Sequence, residues 1–132
     1  MKAWALGPSL LACVLSNVAH AQQVTSFADV AGSWRGRGVE TGIDMTIVIG
    51  QDGSWTTSSK MGSETGKGWI KDGVFLILWP GTYGKMEITR AGADGITAKS
   101  QWYNGSQWVN SQLDAKRCEK PDCTDSGPKD YK

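Results

Sequence analysis

The sequence predicts an all-β protein, a small eight-stranded antiparallel up-and-down barrel. Between residues 31 and 117, short runs of alternating apolar and polar residues are separated by turn residues, which is the pattern of half-buried strands. This region shows no apolar spacing of the helical period. The predicted connections are only two to six residues long, which favours a closed meander over a β-sandwich, whose Greek-key crossings are usually longer. The β-sandwich is the alternative.

The chain begins with a segment that is typical of a secretory signal peptide. Residues 1–21 start with Lys2, continue through an apolar stretch and end in a small-residue cleavage site at Ala21. The apolar stretch is too short for a membrane span, so we expect a periplasmic or secreted protein. Because the residues before Cys13 resemble a lipidation box, a lipoprotein anchored through Cys13 is the alternative.

The elements follow in order after a lead-in at residues 22–30, for which we expect one helical turn. Asp52-Gly53 and Asp72-Gly73 predict tight hairpins, because a type I′ turn needs positive φ at both central positions. Pro80 ends the fifth strand because it has no N–H to donate, and residues 62–66 are predicted as a turn. The predicted strands are 33–39, 43–49, 54–60, 67–71, 74–79, 85–90, 96–103 and 108–116.

Alternation along two of these strands predicts which side chains face the barrel interior. On the second strand the inward set is Ile43, Met45, Ile47 and Ile49, and on the seventh it is Ile96, Ala98, Ser100 and Trp102. Because most of these side chains are bulky, we expect a packed core rather than an internal cavity.

The fifth strand is apolar on both faces, so the alternation of apolar and polar residues does not show which face points into the barrel. If Val74, Leu76 and Leu78 fill the core, an external stripe remains. That stripe consists of Phe75, Ile77 and Trp79. Either the lead-in or the C-terminal tail covers it, or it is an interface for a protein partner or a second copy of the chain.

The C-terminal region, residues 118–132, reads as a polar tail with two cysteines. In an oxidising compartment Cys118 and Cys123 are expected to form a disulfide. Its short loop would contribute only about 2 kcal/mol. The four-residue spacing suits neither a zinc site nor a redox-active pair.

Charge and composition argue against several classes of function. Without residues 1–21, the remaining 111 residues carry equal numbers of acidic and basic side chains and no histidine. A nucleic-acid partner is therefore not expected, and the usual general base of enzymes is missing. Asp44 and Glu87 are the strand carboxylates to inspect for catalysis, while Arg35 and Arg37 are either an anion site or a solvated face. No cofactor is expected, because the glycines read as turn residues rather than as a phosphate-binding loop. No metal is expected either, because the two cysteines have no third cysteine or histidine to complete a zinc site.

The first strand opens with Gly32-Ser33-Trp34, which resembles the glycine-x-tryptophan signature of lipocalins and their calycin relatives. That resemblance implies a small lipocalin-like barrel whose tryptophan closes the bottom. It also implies that an arginine from the end of the last strand packs across the tryptophan ring. Arg117 is the matching residue here, and the contact would be a cation–π interaction.

The functional expectation is an exported, non-catalytic protein that binds a small or surface-exposed ligand. Trp102, Tyr103 and Trp108 are the candidate binding residues, since they flank the turn at Asn104 near one end of the barrel. Sugar stacking on these rings is one form of this hypothesis. Separately, in a eukaryotic host the Asn104-Gly105-Ser106 triplet is an acceptor for N-glycosylation of the protein itself. The alternative is a protein-binding module, such as an inhibitor of a secreted hydrolase, that uses the fifth strand.

Overall fold

The computed structural model describes residues 22–79 and 84–123 and confirms the all-β prediction. The predicted signal segment, Pro80 and the tail beyond residue 123 lie outside these residues. A single-turn 3-10 helix, Phe27–Asp29, precedes the strands. The strands are β1 (Gly32–Gly38), β2 (Asp44–Ile49), β3 (Ser54–Ser59), β4 (Gly62–Lys67), β5 (Trp69–Lys71), β6 (Val74–Trp79), β7 (Gly84–Arg90), β8 (Gly95–Tyr103) and β9 (Trp108–Arg117).

All nine strands belong to one antiparallel sheet that is nearly closed into a barrel. Their order is β4-β3-β2-β1-β9-β8-β7-β6-β5, so the first and last strands pair with each other. In that pairing Trp34 lies opposite Arg117 and Gly38 lies opposite Leu113. The meander is therefore confirmed, and the sandwich alternative is wrong.

The strand count is nine rather than eight because residues 62–66 form a strand and not the predicted turn. Their glycine and serine content is typical of turns, yet β4 pairs with β3 along its whole length. β5 then pairs with β6, so β4 and β5 are two arms of one bent chain with Gly68 at the bend. A side chain at Gly68 would lie 2.6 Å from the Phe75 ring and 2.7 Å from the Leu76 carbonyl, which explains the glycine.

The two predicted Asp-Gly hairpins have different outcomes. Asp72 and Gly73 both have positive φ, 54° and 83°, as a type I′ turn requires. Asp52-Gly53 is part of a four-residue connection between β2 and β3, in which Gly53 but not Asp52 has positive φ. Instead, the Asp52 carboxylate accepts hydrogen bonds from the Ser54 N–H at 3.0 Å and the Ser54 hydroxyl at 2.7 Å.

The inward faces predicted for β2 and β8 are confirmed. Ile47 and Ile49 on β2, and Ile96 and Ala98 on β8, are at most 2% exposed. Val48, between the two β2 residues, is 39% exposed and points outward.

The external stripe considered for the fifth predicted strand, here β6, is wrong for Phe75 and Ile77. Phe75 and Ile77 are fully buried, whereas Leu78 is 47% exposed. The register explains this result, because Phe75 lies opposite Ile88 and Ile77 opposite Met86, and both partners point into the core. Phe75 and Ile77 are therefore core residues and not an interface.

One end of the barrel is closed by the expected pair of residues. Trp34 is fully buried, and its indole N–H donates to the Val30 carbonyl at 2.9 Å. The Arg117 guanidinium lies over the Trp34 ring, 4.2 Å from its centroid, and donates to the Ala31 carbonyl at 3.2 Å. This arrangement matches the one that the resemblance to calycins implies.

The lead-in and the start of the tail lie at the same closed end. Val24 and Val30 are buried, and the Phe27 ring packs edge-on against Phe75 with centroids 5.9 Å apart. The predicted disulfide between Cys118 and Cys123 is present. Among the residues that the structure describes, no helix is long and apolar enough to cross a membrane.

A candidate ligand-binding cup

The opposite end of the barrel contains a cavity, which we call the cup, of about 340 Å³. This volume is in the range of small-molecule binding sites, so the interior is not packed throughout as the sequence predicted. Its apolar lining residues are Ile43, Met45, Met61, Trp79, Met86, Trp102 and Leu113. The other lining side chains are those of Thr41, Thr57, Ser59, Ser63, Glu64, Ser100, Tyr103 and Ser111, with Gly38 and Gly62 completing the wall.

The cup exists because inward side chains are small in this half of the barrel. Ser100 on β8 and Ser111 on β9 lie directly opposite each other in the ladder, and Thr57 and Ser59 occupy inward positions of β3. In the closed half, the corresponding space is filled by large side chains such as Trp34 and Trp55. The predicted inward positions are therefore right, but the serines and threonines among them are too small to fill this end of the barrel.

One wall of the cup is formed by two tryptophans. The rings of Trp79 and Trp102 meet edge to face, with centroids 6.5 Å apart and planes at 77°. Gly84 on β7 lies between their strands, and a side chain there would be 2.8 Å from the Trp79 ring and 2.9 Å from Trp102 Cβ. The glycine therefore allows the two rings to contact each other.

The structure divides the predicted ligand-binding residues into two groups. Trp102 and Tyr103 line the cup, whereas Trp108 is 55% exposed and lies on the β8–β9 hairpin outside it. The Trp108 ring packs against Tyr103 at 5.6 Å. The Asn104 side-chain oxygen accepts hydrogen bonds from the Ser106 and Gln107 N–H groups, which orders the tip of the hairpin. Trp79, predicted for an external interface, also lines the cup.

Glu64 is the charged residue of the cup, and the sequence did not single it out. It lies on β4 opposite Thr57, in the segment that was predicted as a turn. Its Oε1 atom is buried and has no hydrogen-bond partner among the described residues, as is also true of Trp55 Nε1. An acceptor left in this state costs about 1–3 kcal/mol. The only signal available in the sequence was the alternation of Gly62, Glu64 and Gly66, which places Glu64 inward once the segment is recognised as a strand.

The carboxylates considered for catalysis lie on outward-facing strand positions, where Asp44 is buried beneath its arginine partners, and they are not brought together at the cup. Asp44 is 8% exposed and forms two salt bridges. Its Oδ1 atom lies 3.1 Å from Arg37 Nε, and its Oδ2 atom lies 3.9 Å from Arg35 Nη2. These contacts explain the two arginines as partners of Asp44. Glu87, on the outer face of β7, pairs with Lys85 at 3.4 Å.

Within residues 22–79 and 84–123, three carboxyl groups outside the cup lining have a lowered pKa, each chiefly because of backbone donors. The Thr25 and Ser26 N–H groups lower the pKa of Asp29. The Gln112 N–H lowers the pKa of Glu40, and the Ser54 N–H lowers the pKa of Asp52. These interactions hold loops rather than supply an acid or a base to the cup.

The chain was compared with protein-family models, with curated proteins and with solved structures, and no match was found.

Proposed function

We propose that this protein is a small exported binding protein of lipocalin-like type that holds a small ligand in the cup. The observation that carries the proposal is the division of one barrel into a plugged end and an open end with a cavity of about 340 Å³. A fully packed barrel would have no interior site, whereas this cavity is large enough for a small organic molecule.

The lipocalin-like part of the proposal is supported by the closed end. Trp34 from the first strand and Arg117 from the last strand form a stacked pair there, as in the family that Gly32-Ser33-Trp34 resembles. Export is supported by the pattern of residues 1–21 and by the disulfide, which is typical of oxidising compartments.

We propose binding without catalysis. The chain beyond residue 21 contains no histidine, and Asp44 is engaged by arginines on the outer surface. Glu87 likewise pairs with Lys85 outside the barrel. The polar lining of the cup consists mainly of hydroxyl groups, which suit orientation of a ligand rather than proton transfer at neutral pH.

The test is titration with a neutral apolar fluorophore, N-phenyl-1-naphthylamine, monitored by its emission. Ser100→Phe places a ring inside the cup, and Val48→Phe places the same ring on the outer face, where Val48 is 39% exposed. We expect Ser100→Phe to weaken binding at least about tenfold and Val48→Phe to leave it unchanged. Equal affinity in the two variants, with both melting normally, would contradict the proposal.

A second candidate function rests on the outer face of β5 and β6. Trp69 is 42% exposed and lies opposite Leu76, and Leu78 is 47% exposed. This apolar face takes the place of the stripe predicted on Phe75 and Ile77, and it keeps a protein-binding module or hydrolase inhibitor as the alternative.

Native mass spectrometry of the protein isolated from its own source distinguishes the two candidates. A retained small mass that Ser100→Phe removes supports the cup. A retained polypeptide that is lost on Leu78→Lys, with Ser100→Phe retaining it, supports the outer face instead.

A further inference from the structure

We infer that the ligand of the cup carries a protonated amine, which the Glu64 carboxylate binds in the cavity that the two tryptophans also line. This inference rests on the proposed function, because it assigns the chemical class of ligand to the same cavity.

Glu64 is placed where a ligand would meet it. On β4 its inward neighbours are Gly62 and Gly66, so no larger side chain of that strand shields the carboxylate. Thr57, its partner across the ladder, is only 4% exposed and also lines the cup. The buried Oε1 atom accepts no hydrogen bond from any described residue. A donor from a bound molecule would therefore satisfy an acceptor that the described part of the chain leaves open.

The charged residue of the cup favours a ligand of opposite charge. Among the lining residues that the structure describes, Glu64 is the one charged side chain. In a site with mostly apolar walls, a charge interacts more strongly than in water. The cup therefore favours a cation over a neutral molecule of the same shape, and it disfavours an anion.

The aromatic wall of the cup also favours a positively charged ligand. Tryptophan is the best of the aromatic side chains for attracting an ammonium group through its ring face, and Trp79 and Trp102 both line the cup. Met45 and Met86 line it as well, and their flexible thioethers adapt to an apolar ligand body. A compact molecule with an aromatic or aliphatic body and one amine combines all of these contacts.

The experiment compares three probes that share one body and differ in their head group. 2-Phenylethylamine, 2-phenylethanol and phenylacetate are titrated into the purified protein at neutral pH, with chemical shift changes of the backbone amides as the readout. The key variant is Glu64→Gln, which keeps the size of the side chain and removes its charge. Glu87→Gln is the matched control, because Glu87 is 42% exposed on the outer face.

We expect the amine to bind at least about tenfold more tightly than the alcohol, and the acid to bind weakest. Glu64→Gln should abolish the preference for the amine while leaving 2-phenylethanol binding unchanged, and Glu87→Gln should change neither. If amine and alcohol bind the cup equally, or if Glu64→Gln keeps the amine preference, the inference is wrong and the cup remains a binding site. If none of the probes perturbs the lining residues of the folded protein, the proposed function itself is contradicted.

Discussion

Arg117 and Trp34 face each other across the β1–β9 ladder, and the guanidinium carbon lies 4.2 Å from the centroid of the tryptophan ring. The pairing that joins the first and last strands is thus also the place where the barrel bottom is sealed. Arg117 additionally donates to the Ala31 carbonyl, which ties the lead-in to the same point.

Replacing Arg117 with Met should destabilise the barrel by about 1–2 kcal/mol, since both the cation–π contact and a hydrogen bond are lost. Thermal unfolding followed by circular dichroism would measure this as a fall of several degrees in Tm. Lys116→Met is the control, because Lys116 is exposed on the neighbouring position of β9. Equal Tm values for the two variants would show that the stacked pair contributes nothing measurable.

The lowered pKa of Asp29 predicts a pH-dependent contribution to stability. The Thr25 and Ser26 N–H groups donate to Asp29 Oδ2 at 2.8 and 3.2 Å, and they lower its pKa below the ordinary value of 3.8. A lowered pKa in the folded state means that the stabilisation is complete above the unfolded pKa and disappears as the pH falls through the folded pKa.

Asp29→Asn should therefore lower Tm at pH 7, and the difference from the unaltered protein should shrink as the pH falls below 3.8. Melting curves at several pH values between neutral and acidic measure this difference. A gap in Tm that stays constant across the acid range would be inconsistent with the carboxylate's role.

The Cys118–Cys123 disulfide closes a short loop beside the barrel, so its loss should cost at most about 2 kcal/mol. We expect reduction to lower Tm but to leave the far-ultraviolet circular dichroism and probe binding at the cup unchanged. A double variant with Ser at both positions should melt like the reduced protein and be insensitive to reductant. Unfolding of the barrel on reduction at room temperature would contradict this local role.

Glu64→Met should stabilise the protein while removing amine binding. The substitution replaces an acceptor that pairs with no residue in the described ranges by an apolar side chain of similar size, so we expect a gain of about 1 kcal/mol in the free energy of unfolding. Chemical denaturation measures the gain. Glu87→Met, at an exposed and paired site, should produce no comparable increase, and a loss of stability in Glu64→Met would mean that the carboxylate has a structural partner.

The sequence predicts those parts of the fold that a short run of neighbouring residues is enough to specify. Period-two alternation identified the interior of β2 and β8, Asp72-Gly73 identified a true hairpin, and the resemblance carried by Trp34 identified the closed end together with Arg117. In each case a short local pattern is enough to determine the outcome.

The remaining features depend on register and on space, which no short pattern specifies. β6 is apolar on both faces, so only its pairing with β7 decides that Phe75 points inward. Glu64 was missed for a related reason, because a glycine-rich segment looks like a turn until its neighbour β3 pairs with it. The cup itself results from small residues that several distant strands bring to one end, which alternation within a single strand does not reveal.

The two ends of the described chain lie on the side of the barrel opposite the cup. The Gln22 N–H donates to the Arg90 carbonyl, and Cys118, the disulfide partner of Cys123, donates its N–H to the Ser33 carbonyl near the start of β1. A label attached through a cysteine introduced at the exposed residue Gln22 would therefore leave the cup opening unobstructed. Immobilisation through such a residue at position 22 orients the mouth away from the surface, which suits sensor-based measurements of binding.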